Sequence, residues 1–418
     1  LIKVNLISLG CPKNLVDSEK ILGNLGAAGL AITASSDDSD VIIINTCGFI
    51  KPALEETEEE IKKVLFQTDN KKIYVYGCAV NRYREELKEK YPQVSDWFRL
   101  EERNRLLKTI THKINETRLV TTRGYAYLKI ADGCSNHCSY CTIPFIKGEF
   151  HSFDFDGLIE EVEELAELGI KEIILIAQDT TRYGLDRYGR PMLVPLIREI
   201  SKIRNIEWIR ILYSHPKTIT QEIISEIASN RKVCKYLDMP IQHINDRILQ
   251  LMNRGVDRKR IETILKGLKK IKGISLRTTV ITGFPTERSC EFKEMVKFLR
   301  KGYFDWLGVF PYYCEQGTEA AKLEQLPRLV VKKRYYKIIE IQKELIRKKS
   351  RGRIGRVFKT LIHERRGDYI GHAEFCAPGI DGKIIVKFRN LKLGEFYNLK
   401  LEDKWKIKND YTAIRCRA

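Results

Sequence analysis

What this chain lacks sets the first boundaries. No apolar stretch approaches the roughly 20 residues needed to cross a bilayer, so a membrane-spanning helix is excluded as an organising element. No leader of the secretory type opens it, and its eleven cysteines in 418 residues are too sparse for a disulfide scaffold. Those absences predict a soluble, cytoplasmic protein whose thiols stay reduced and are available for metal ligation. The first residue is Leu1 rather than methionine, and a few residues are expected to precede it.

What is present is ordinary for a globular protein: 43% hydrophobic and 31% charged residues. The length sets a prior of roughly three domains. Lys+Arg 74 against Asp+Glu 55 leaves a net charge of +19. That balance suits a polyanionic partner such as RNA or a ribosome, and equally an evenly solvated lysine-rich surface.

Six cysteines carry the chemistry. Cys134, Cys138 and Cys141 lie in DGCSNHCSYCTIP, a C-x3-C-x2-C spacing directly after the strand-like run YAYLKIA. Iron-sulfur clusters are held by cysteine thiolates, usually four. Three from one loop therefore predict a cubane with one iron left open. Zinc shares the preference for thiolate but requires a fourth protein ligand, and His137 and His151 are not at zinc-finger spacing. Cys11, Cys47 and Cys78 each follow a strand-like run in a stretch that alternates β-rich and helical segments, from 1 to about 115. In an open parallel sheet the carboxyl ends of the strands lie together. Three cysteines distant in sequence can thus meet and hold a second cluster; three unrelated buried thiols are the alternative.

Between 124 and 350 the predicted strands YAYLKIA, KEIILIAQ, EWIRILY, CKYLDMP, SLRTTVITG and FDWLGVFPYY alternate with amphipathic helices. Six such units predict a partial (β/α)6 barrel, whose chemistry gathers at the carboxyl ends of the strands. A long basic helix, PRLVVKKRYYKIIEIQKELIRKKS, closes this region. Short glycine-split strands from 353 to 418 then predict a small antiparallel β-barrel, a shape often used to bind nucleic acid. The fold class is therefore α/β, in three parts: 1–115, 124–350 and 353–418. No side chain is assigned as an acid, base or nucleophile. On their expected strand-end positions, Gln178, Asp179, Gln242 and Arg277 are candidates for polar contacts to a cofactor or target. Gly283 is expected to let a ligand approach the backbone, and Glu287 to hold a hydroxyl or amino group.

The cysteine trio, the aromatic Tyr140 before its last member and the six β/α units resemble the radical S-adenosylmethionine (SAM) enzymes. Adding the three upstream cysteines and a C-terminal barrel similar to a TRAM domain, the whole chain resembles the methylthiotransferases. SLGCPKNLVDSE, AQDTTRYG, YLDMPIQH and APGIDG are similar to the members that modify an aspartate of a small-subunit ribosomal protein, S-twelve. The tRNA-modifying members usually carry Gln-Met in place of Pro12 and Lys13, and asparagine in place of Asp179.

The resemblance implies two [4Fe–4S] clusters, one on each trio, and SAM bound at the open iron of the second trio with Tyr140 near its adenine. It implies a 5'-deoxyadenosyl radical that takes hydrogen from the aspartate β-carbon, followed by transfer of a methylthio group. The implied partners are the ribosomal protein or subunit, RNA at the TRAM-like domain, and an electron donor such as flavodoxin or ferredoxin. Two segments depart from the family pattern. GFPTER replaces GFPGET, so Thr286 stands where glycine is usual, and GEFHSF places His151 and Phe153 where arginines are usual. Competing functions are methylthiolation of a tRNA adenosine and a non-catalytic iron-sulfur protein that binds RNA or senses redox state.

Overall fold

The computed structural model describes residues 1–67, 70–388, 390–402, 406–408 and 411–417, with the side chains beyond 402 left aside. The chain divides into two compact units. Unit one holds 1–121, 132–135 and 141–150; unit two holds 122–131, 136–140 and 151–418.

Unit one is built on five parallel strands: β1 (Lys3–Ser8), β2 (Ala31–Ile32), β3 (Val41–Thr46), β4 (Lys72–Gly77) and β5 (Asp96–Phe98), in the order β2-β1-β3-β4-β5. The unbroken apolar run of β3 reflects burial on both faces. Ile42, Ile44 and Val75 pack under α2 (Lys51–Gln67) and α3 (Cys78–Lys90) through Ile61, Val64, Ala79 and Leu87. Ile43, Tyr74 and Tyr76 face the other way, against Ile21 and Leu25 of α1 (Pro12–Ala27) and Leu106 and Leu107 of α4 (Arg103–Ile110). The irregular stretch after α4 is strapped onto α1. Glu19 accepts from the Thr121 amide at 2.7 Å and forms a buried ion pair with Arg118 at 2.5 Å.

Two short strands, β7 (Ala131–Asp132) and β8 (His151–Ser152), bracket the loop of the second trio, which also carries the five-residue α5 (Ile143–Lys147). Unit two contains six parallel strands in two triplets. β6 (Tyr125–Lys129), β9 (Glu172–Ile176) and β10 (Trp208–Ile211) run in the order β10-β9-β6. β11 (Tyr236–Asp238), β12 (Ser275–Thr282) and β13 (Trp306–Pro311) run in the order β11-β12-β13. A parallel bridge between Ile209 and Val233 carries the chain from the first triplet to the second.

The connecting helices are α6 (Phe155–Glu167), α7 (Leu193–Lys202), α8 (Gln221–Ser229), α9 (Asp246–Leu251), α10 (Arg258–Leu268) and α11 (Ser289–Leu299), before the 24-residue α12 (Arg328–Arg351). Asp154, Thr220, Asn245 and Asp257 each accept from a backbone amide three residues on, which fixes where α6, α8, α9 and α10 begin.

The C-terminal sheet comprises β14 (Val357–Arg366), β15 (Asp368–Ala373), β16 (Lys383–Val386), β17 (Glu395–Leu401), β18 (Lys406–Lys408) and β19 (Tyr411–Arg417). Its order is β16-β15-β14-β17-β19-β18, mostly antiparallel, and β16 also pairs with β19 so that the sheet returns on itself. This segment belongs to unit two and packs against the starting ends of the parallel strands. Arg210 is fully buried; it donates to Glu172 Oε1 at 2.7 Å and to the Glu374 carbonyl at 2.8 Å. His372 bonds the other Glu172 oxygen. Tyr127 donates to the Pro378 carbonyl, and Trp306 and Ser275 both donate to that of Phe375.

Candidate active site

The first trio stands where the parallel sheet delivers it. Cys11 caps α1 just beyond β1, Cys47 directly follows β3 and Cys78 opens α3 directly after β4. Asn14 holds them together. Its Nδ2 donates to the carbonyls of Leu9 and Thr46, both at 3.0 Å, tying the β1 and β3 ends. Its Oδ1 accepts from the Cys78 thiol at 3.7 Å and lies 4.0 Å from Cys11 Sγ. Gly10 completes the arrangement in the left-handed region, φ +87°: a Cβ there would sit 2.8 Å from that of Cys47.

Burial first, with a smaller push from the neighbouring thiols, raises the Cys47 thiol to about 11 and that of Cys78 to about 12. Soft-metal ligation, which removes the protons, relieves that cost. A buried cation opposes the same rise: Lys147, 3.8 Å from Asp17 and 3.1 Å from Asp132, favours a charged Cys78. Within the same unit Thr142, next to Cys141, donates to the Phe49 carbonyl at 2.8 Å, two residues past Cys47.

The second trio follows β6 and β7. The Cys134 amide donates to the Gly148 carbonyl in unit one. In unit two, Cys138 Sγ accepts from Arg254 Nη1 at 3.3 Å. None of the six cysteines is in a disulfide. Among the described residues no three His, Cys, Asp or Glu side chains are grouped closely enough to hold one metal ion.

The carboxyl ends of the unit-two strands gather a polar set. Asp179, fully buried, accepts from Asn136 at 2.8 Å and from Thr181 at 2.9 Å and Thr218 at 3.2 Å. Gln178 precedes it with its Oε1 buried. Tyr213 and Gln242 hold φ of 58° and 64°, sparsely populated for side-chain-bearing residues and frequent at functional sites. Gln242 Oε1, Ser214 Oγ, His215 Nε2 and Arg254 Nε are buried without a hydrogen-bond partner among the described residues. His215 is neutral, its pKa driven down to about 2 by burial and then by Arg254, Lys217 and Arg182. Its Nδ1 accepts from the Lys217 amide at 3.1 Å, so Nε2 carries the proton and remains a buried donor. Such unsatisfied groups fit a polar cofactor that supplies their missing partners.

Arg277 is the third residue of β12, not at its carboxyl end, and it pairs with Asp238 at 2.9 Å and Asp381 at 3.3 Å. At Gly283 a Cβ would meet Val331 at 2.8 Å. Glu287 is saturated internally, accepting from the Gly283 amide at 2.9 Å and from Arg334, with His243 Nε2 3.1 Å from its other oxygen. Tyr140 is partly buried against the cluster of Ile248, Met252, Ile281, Phe284 and Ala320. Thr286 itself adopts φ 63°, in the left-handed region. His151 is exposed. Asn14, Lys147, Ser214, His215, Thr218 and Arg254 were invisible in sequence, for none sits in a ligand spacing.

Residues 128–299 match the model of the radical SAM superfamily, and residues 3–98 that of an uncharacterized protein family, UPF0004. Fold and site thus define a radical SAM protein with an added N-terminal α/β domain, and that superfamily carries a [4Fe–4S] cluster and SAM. The chain is 42% identical over 409 residues to "Ribosomal protein uS12 methylthiotransferase RimO" of Aquifex aeolicus, covering 96% of this chain and 94% of the relative. It is 43% identical over 432 residues to the protein of that name from Acetivibrio thermocellus, covering 96% and 95%. The chain belongs to the RimO family of radical SAM methylthiotransferases. Among solved structures, the radical SAM methyltransferase TsrM from Kitasatospora setae shares the fold, with a TM-score of 0.56 at 14% identity over 76% of each chain.

Proposed function

We propose that this chain adds a methylthio group to the β-carbon of an aspartate in ribosomal protein uS12. The observation that carries the reading is a near full-length match to relatives of that name, in a chain that keeps both cysteine trios. Cys134, Cys138 and Cys141 hold the cluster at which SAM is cleaved. Cys11, Cys47 and Cys78 hold a second, auxiliary cluster, a role supported by their gathering around Asn14. Bound there, the two clusters and SAM supply reductive cleavage, hydrogen abstraction and the sulfur transfer. A β C–H is too weak an acid for removal by a positioned side chain, which makes a radical route the reasonable one.

The chain's own residues bind and orient. Gln178, Asp179 and Gln242, with His215 as a fixed neutral donor, offer the polar contacts to SAM, and Tyr140 borders its adenine. Lys13, beside Cys11, acts on Cys47 electrostatically and offers a cation for the target carboxylate. The C-terminal segment is a TRAM-like barrel that together with α12 recruits the ribosomal substrate through RNA, in the cytoplasm, and a flavodoxin or ferredoxin supplies electrons. Anaerobic reconstitution should give about eight irons, four per cluster, and the reduced protein should release 5'-deoxyadenosine from SAM. Cys138→Ala should retain about half of the iron and none of the cleavage. A reduced, fully loaded protein that leaves SAM intact would favour the non-catalytic alternative.

A further inference from the structure

The C-terminal turn of α9 grips the loop of the second trio. The Ser139 amide donates to the Met252 carbonyl at 3.0 Å and Ser139 Oγ to that of Leu251 at 2.7 Å. Asn253, at φ 51°, donates through Nδ2 to the His137 carbonyl at 2.9 Å. The same turn throws Arg254 inward. Its side chain is nine-tenths buried, anchored by Nη2 to the Pro240 carbonyl at 2.7 Å, with Nη1 3.3 Å from Cys138 Sγ and Nε unpartnered. Three contacts position the loop; the fourth brings a permanent positive charge to a ligand sulfur.

We infer that Arg254 is a positioning residue that tunes the cluster on Cys134, Cys138 and Cys141, its guanidinium raising the reduction potential so that the electron needed for SAM cleavage can be delivered. This rests on the assignment of a cluster to that trio. Reduction adds negative charge to a cubane, and both hydrogen bonds to its sulfurs and nearby charge set its potential. Arginine suits this because it does not lose its proton in proteins. Burial keeps solvent from screening the interaction.

The test uses the full chain with Cys11, Cys47 and Cys78 changed to alanine, so that one cluster gives the electron paramagnetic resonance signal. Iron near four per chain checks the assignment itself; its absence would sink the cluster reading rather than the role of Arg254. On that background, Arg254→Gln should lower the midpoint enough to reduce the ratio of reduced to oxidised cluster about tenfold at fixed ambient potential, about 59 mV for one electron. Arg254→Lys, which keeps the charge, should restore most of it, and Asn253→Ala, which loses only loop positioning, should leave the midpoint unchanged. An unmoved midpoint in Arg254→Gln overturns the inference, as does a lysine variant that falls as far as the glutamine one. Should Arg254→Gln fail to retain iron, Arg254→Met, which keeps most of the volume and removes the charge, takes its place with the same expected fall, and an unmoved midpoint there would overturn the inference.

Discussion

Asn14→Asp is the most searching single substitution in the N-terminal unit, because it changes almost no volume and reverses one hydrogen-bonding role. The Nδ2 of Asn14 donates to two carbonyls, at Leu9 and Thr46, and both bonds are 3.0 Å. An aspartate oxygen in that place faces two acceptors and has nothing to donate unless it is protonated. Each buried hydrogen bond contributes about 1 kcal/mol net, and each acceptor left unmet costs about 1–3 kcal/mol. The expected loss is therefore about 2–6 kcal/mol, read as a lower midpoint in urea at unchanged slope.

The chemical consequence is larger, since the same side chain spaces Cys11 from Cys78. Anaerobic reconstitution of the variant should yield about four irons where the parent yields about eight. Full iron content together with a stability loss under about 1 kcal/mol would refute the role given to Asn14.

Three further outcomes follow from the second unit. Arg210→Met leaves Glu172 buried with only His372 to compensate, and should destabilise by about 3–5 kcal/mol in chemical denaturation. Thr286→Gly removes a left-handed, β-branched residue at the loss of a 3.3 Å contact from Arg247, and should raise stability by about 1 kcal/mol in thermal melts. Burial raises the Asp381 carboxyl to about 6 against the opposing pull of Arg277. The folded state then binds more protons than the unfolded one between pH 3.8 and about 6, so this group's contribution to stability declines as pH rises through that window, by about 3 kcal/mol in all. Asp381→Asn should flatten that part of the stability–pH curve; an unaltered slope would count against the assignment.

Cysteine spacing was legible because ligation to a cluster constrains sequence directly: a loop must deliver Cys134, Cys138 and Cys141 within eight residues. The gathering of Cys11, Cys47 and Cys78 was legible for a different reason, since each follows a β-rich run and parallel strands share an end. Asn14 was not, because its task is set by the approach of two strand ends rather than by local pattern. The partners of Arg277 were not legible, because Asp238 and Asp381 lie far from it in sequence and share no motif with it. The seating of the C-terminal segment was hidden altogether. Its contacts join Tyr127 to Pro378 and Arg210 to Glu374, residues far apart in sequence that carry no shared motif.

Removal of residues from about 353 onward strips partners from Arg210, Trp306, Ser275 and Tyr127, so the truncated chain should lose stability along with substrate recruitment. Point substitutions on the exposed surface of the C-terminal sheet separate the two effects. Those that reduce modification of the ribosomal substrate while leaving the melting temperature and uncoupled SAM cleavage unchanged would mark the recruiting surface.

The identity of the target is the central claim, and one competition measures it. The reconstituted, reduced protein is given SAM, a sulfide source, purified uS12 and a bulk tRNA pool in one reaction, and protein and nucleosides are read by mass spectrometry. A methylthio group on an aspartate of uS12, with unmodified adenosines in tRNA and a weaker protein reaction in Lys13→Met, is the predicted result. Methylthio-adenosine in the tRNA with the uS12 aspartate untouched would contradict it.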